Sequence, residues 1–74
     1  MYLKNINLIN AINSCKESMN ERLYRKMLAK AYVLLYAQQY ENKSEILHLV
    51  NVQLEKKKLN RISYMFITDT LNQK

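Results

Sequence analysis

The chain has 74 residues, 49% of them hydrophobic, and carries twelve Lys and Arg against six Asp and Glu, a net charge of +6. That length holds one small domain with a core but little surplus stability, and the lone Cys15 and lone His48 exclude an internal disulfide and a structural zinc site. Glycine and proline are both absent, so the backbone angles of tight turns and the sharp breaks between elements must come from elsewhere; helices joined by Asn and Ser turns are expected, as an all-α domain over residues 1–74 with three or four helices around a central antiparallel hairpin.

Leu8, Ile12, Cys15 and Met19 recur at spacings of four, three and four, which predicts an amphipathic helix over about 3–17. Cys15 shares the face of Ile12 and Met19, so a buried, inert thiol is expected there. Asn5, Asn7, Asn10 and Asn13 make this segment too polar for a signal-peptide core. No run approaches the roughly eighteen apolar residues that span a bilayer, so no membrane contact and a cytoplasmic location are expected.

Ser18 and Glu21 have capping-box spacing and predict a second helix over 19–40, the alternative being one helix continuous through Ser18. Leu23, Met27, Ala31 and Leu34 form one line along it. Tyr24, Leu28, Tyr32, Tyr36 and Tyr40, spaced by four, form a second stripe. The run from Ala31 to Ala37 is apolar or aromatic almost all round, so it should be the most buried stretch and should need more than one neighbour.

Asn42 and Glu45 repeat the capping pattern and predict a turn between Gln39 and Lys43, then an antiparallel third helix over 43–58. Ile46, Leu47, Val50 and Leu54 make its inward face, while Leu49 and Val52 lie elsewhere on the circumference and suggest contact beyond the hairpin. The hairpin from Ala31 to Leu54 has the helix and turn lengths of a tetratricopeptide-like unit, but a single copy is weak support and a generic hairpin explains the same spacing. Lys56, Lys57 and Lys58 interrupt the period. Leu59, Ile62, Met65 and Phe66 then resume it on a rotated stripe, predicting a fourth helix over 60–70 that either continues the third or breaks from it near Asn60. Tyr64 to Thr68 has strand propensity but would lack a partner strand.

Nothing in the chain groups catalytic side chains. His48 has no fixed carboxylate or nucleophile partner, and neither a phosphate loop nor a metal-ligand spacing is present. The expectation is a chain that is not an enzyme and needs no cofactor or metal. Arg22, Lys26 and Lys30 gather on the second helix and Lys56, Lys57 and Lys58 wind around the end of the third, with carboxylates interspersed and only three arginines in all. This pattern fits a solvated basic surface and an acidic surface on a partner, with phosphate-backbone binding as the lesser use.

The tyrosines have two uses, as core packing or as interface anchors. In the second, Tyr32, Val33, Tyr36 and Tyr40 face a partner together with Leu49 and Val52. The expected function is a non-catalytic protein–protein interaction module, an adaptor, chaperone, inhibitor or regulator acting through a tyrosine-rich helical face, as a homo-oligomer or bound to another protein. The alternative is a small basic DNA-associated transcriptional regulator that contacts phosphates.

Overall fold

In the computed structural model, which describes residues 2–72 with side chains from Asn7 to Asn72, the protein is all-α. Its helices are α1 (Tyr2–Ser14), α2 (Glu21–Ala37), α3 (Lys43–Lys56) and α4 (Tyr64–Asn72), with a 3₁₀ turn at Lys16–Ser18. Among the described residues there is no strand, and no helix is long and apolar enough to cross a membrane.

The helix α1 stops earlier than the 3–17 span expected from periodicity. The Ser14 hydroxyl donates back to the Asn10 carbonyl at 3.0 Å, and the Cys15 amide is shared between the Ala11 and Ile12 carbonyls at 3.1 Å each. Back-bonding of this kind competes with continuation of the helix. Met19 is then fully extended, which rules out a helix continuous through Ser18.

The cap of α2 is Asn20 rather than Ser18: its Oδ1 accepts the Leu23 amide at 2.8 Å, and α2 starts at Glu21 instead of residue 19. Asn at this position satisfies a donor that the helix itself leaves unpaired. The α2 helix ends at Ala37, short of Tyr40, and a turn carries the chain to Asn42. The Asn42 Oδ1 accepts the amides of Ser44 and Glu45 at 2.8 and 3.2 Å, which caps α3 where the sequence places it.

The α2 helix is the centre of the packing and touches α1, α3 and α4. Leu28 and Val33 of α2 are fully buried with Ile46, Val50 and Leu54 of α3 and Ile67 of α4, while Ile9 and Ile12 close the core from α1. Each such side chain contributes on the order of 1.5–3 kcal/mol relative to exposure. The inward face read for the third helix is the observed one. The fourth differs: Ile67 and Thr70 are its buried residues, and Met65 is 70% exposed.

The α3 helix ends at Lys56 and α4 is separate from it, beginning at Tyr64 rather than residue 60. The break is a Schellman motif, in which the Leu59 amide donates to the Leu54 carbonyl at 2.9 Å and the Lys58 amide to the Glu55 carbonyl at 3.0 Å. That motif places its penultimate residue in the left-handed region usually filled by glycine. This chain has none, and Lys58 takes the position with φ 60°.

A side chain there costs about 1–2 kcal/mol, part of which glycine would return to the unfolded chain as entropy. Lys58→Gly is therefore expected to stabilise the protein by about 0.5–1 kcal/mol, read as a higher urea midpoint at unchanged slope. A midpoint at or below that of the wild type would mean that the Lys58 side chain compensates for its backbone.

The connection between α3 and α4 is held by two side chains. Asn51, buried on α3, accepts the Ile62 amide at 2.8 Å and donates to the Ile62 carbonyl at 3.3 Å. Arg25 reaches over from α2, donating to the Asn60 carbonyl from Nε at 3.0 Å and to the Arg61 carbonyl from Nη2 at 2.8 Å. The Arg61–Glu55 ion pair at 3.3 Å joins two exposed side chains and adds little.

Candidate interaction surface

The tyrosine stripe turns mostly inward. Tyr24 is buried and its hydroxyl donates to the Asn13 Oδ1 at 2.7 Å, tying α2 to α1. Burial pushes the Tyr24 phenol above its ordinary range. Tyr32 is raised in the same direction, first by burial and then by the neighbouring Tyr36 and Tyr24. Both stay neutral at physiological pH.

Tyr32, Tyr36 and Tyr40 are half-buried and pack against the core. The Tyr32 and Tyr36 rings stack at 6.1 Å and 16°, and the Tyr36 and Tyr40 rings tilt at 6.3 Å and 54°. Gln53 of α3 donates to the Tyr36 hydroxyl at 3.2 Å. The ladder keeps part of its surface exposed, and the Gln53 bond ties it to α3. Val33 lies in the core and cannot meet a partner in the folded protein. Leu49 and Val52 keep part of their surface exposed.

A second apolar surface lies on another side of α2. Leu23, Met27 and Leu34, three members of the Leu and Met line read along α2, are 44%, 38% and 39% exposed, and Leu8 of α1, 42% exposed, lies beside Met27 and Leu34. Two depressions run along the α1–α2 seam. One, of 360 Å³, is lined by Leu8, Ala11, Ile12, Cys15, Met19 and Met27. The other, of 240 Å³, is lined by Leu8, Ile12, Met27, Lys30, Ala31 and Leu34. They share Leu8, Ile12 and Met27 and so form one groove.

Cys15 is an exposed thiol on its wall, not the buried one expected from its helical face, because α1 ends just before it and turns its side chain off the core. Within the run from Ala31 to Ala37, expected to be the most buried stretch, Leu34 is the exposed residue and the other six are buried or half-buried. With no fourth helix laid along this side, one arc of α2 stays open.

The cations divide into two places. Arg22 and Lys26 are exposed on α2, and Lys30 borders the groove; Asn20, Arg22, Leu23 and Lys26 line a separate shallow recess at the start of α2. Lys56 is exposed at the last turn of α3. Lys57 and Lys58 fold back to the start of α2, where they line a cavity of 230 Å³ with Lys16, Glu21 and Tyr24. Lys16, which sequence reasoning passed over, sets its ammonium 5.6 Å from the centroid of the Tyr24 ring. Arg25 is committed to loop carbonyls and belongs to neither group.

His48 is exposed on α3. Among the described residues no group of three or more His, Cys, Asp or Glu could hold a metal ion. The side chains that line the groove are apolar apart from Cys15 and Lys30. Comparison with protein-family models, curated proteins and solved structures finds no match to this chain.

Proposed function

We propose that the protein is a non-catalytic interaction module, a small adaptor, chaperone, inhibitor or regulator that docks another polypeptide on the seam between α1 and α2. The observation that carries this reading is the exposure of Leu8, Met27 and Leu34 along one continuous groove, with Leu23 exposed one turn before Met27 on the same line of α2. Single exposed apolar residues are ordinary, but a contiguous set bordered by charge marks an interaction site. The tyrosine ladder then has a supporting part: it ties α2 to α3, and its exposed surface extends the contact only for a partner that wraps α2.

A photo-crosslinking phenylalanine analogue placed at Met27, in cells that make the protein, is expected to yield one dominant crosslinked polypeptide. The same probe at His48, on α3, should yield none. Equal or absent crosslinking from the two positions would remove the groove as the docking surface.

The DNA-associated alternative uses the lysines and leaves the apolar groove unexplained. It requires affinity for duplex DNA that falls steeply between 50 and 300 mM salt as counterions are released, and that persists when Met27 is replaced.

A further inference from the structure

We infer that the groove receives an acidic amphipathic helix, a deduction that rests on the docking role proposed for this seam. Leu23, Met27, Lys30 and Leu34 follow each other at spacings of four, three and four, the d-a-d-a order with which one helix accepts the side chains of another. The stretch rises roughly 16 Å along α2, about three turns of an incoming helix.

Charge selects the partner. Two exposed cations of α2 flank this stripe, Arg22 beside Leu23 and Lys26 beside Met27. No carboxylate lines any of the three depressions along this side, and α1 contains none. An occupant with leucine-type residues on its inward stripe and Glu or Asp beside them answers both features, burying apolar surface while pairing the cations.

A second copy of this chain would fit the apolar stripe but would bring its own Arg22 and Lys26 beside it. Like charges set against each other across a helix pair disfavour that assembly. Nucleic acid would answer the cations and leave Met27 and Leu34 facing solvent.

The test is fluorescence anisotropy of the full-length protein with two labelled helical peptides of three heptads, both with leucine at a and d, one with glutamate and the other with lysine at e and g. The glutamate peptide is expected to bind at least tenfold more tightly than the lysine peptide. Leu34→Glu should weaken it at least tenfold, and Arg22→Glu with Lys26→Glu should invert the preference. All of these positions lie at the surface, and a circular-dichroism melt of each variant verifies that the fold is retained.

Equal binding of both peptides, binding of neither, or equal binding of polyglutamate without leucines would overturn the inference. So would a wild-type dimer in sedimentation that Leu34→Glu dissociates, which assigns the groove to a second copy. A short DNA duplex that displaces the glutamate peptide and binds Leu34→Glu unchanged would assign the cations to phosphate instead. Crosslinking from position 27 is blind to the charge of the partner, so a crosslink combined with a charge-blind peptide preference would refute the acidic helix alone.

Discussion

Asn51→Ala is expected to destabilise the protein by about 2–4 kcal/mol, because it removes one side chain that satisfies two buried backbone groups at once. The Ile62 amide and carbonyl both bond to Asn51, and Ile62 itself is buried, so neither group keeps its partner when the amide side chain is cut back. For a domain of this size the total stability is on the order of 4–11 kcal/mol, and the loss would be a large share of it.

Asn51→Asp separates donor from acceptor. The carboxylate still accepts the Ile62 amide but faces the Ile62 carbonyl with no proton to give, and burial raises its pKa. A group whose folded pKa lies above its unfolded value stabilises below the unfolded value and loses that contribution as pH rises through the folded one. The Asn51→Asp protein should therefore be closer to wild type in acid, once the loss common to both proteins is subtracted, and furthest from it near neutrality. Urea titrations of the three proteins at two pH values measure this, and an Asn51→Ala midpoint matching the wild type would show that Arg25 alone anchors the connection.

Adjacent residues on α2 provide the second large contrast. Leu28→Ala should cost about 2–5 kcal/mol, since Leu28 is fully buried at the point where α2 meets the rest of the core and truncation there leaves a cavity that its neighbours only partly fill. Met27→Lys, one position earlier, should cost less than about 1 kcal/mol, since its side chain already shares its surface with water. The same substitution should abolish capture of a partner at the groove. Thermal or urea unfolding measures the first quantity and crosslinking or peptide binding the second. Similar stability losses at the two positions would mean that the groove is core in solution and that no docking face exists.

The helical class, the hairpin, the Asn42 cap and the inward face of α3 are local consequences of this sequence. Each depends on a side chain and a backbone group within one turn, or on a period repeated several times, and neither glycine nor proline is present to interrupt them. Capping-box spacing pointed to Ser18 for α2, but the extended backbone at Met19 puts Ser18 outside the helix start and leaves Asn20 as the cap.

Which apolar stripe of α2 would be covered was not a local question. Leu23–Met27–Leu34 and Tyr24–Leu28–Tyr32 are equally periodic, and burial went to the second because α1 is short and tied through Asn13 to Tyr24, while α3 and α4 pack on other sides of α2 and leave the first line open. The same geometry exposes Cys15, buries Val33 and gathers Lys16 with Lys57 and Lys58 across forty residues of chain. It also assigns Asn51 and Arg25 to a loop that their own helices say nothing about. Periodicity tells which residues can share a face; only the lengths and placement of the neighbouring helices determine which face is left for a partner.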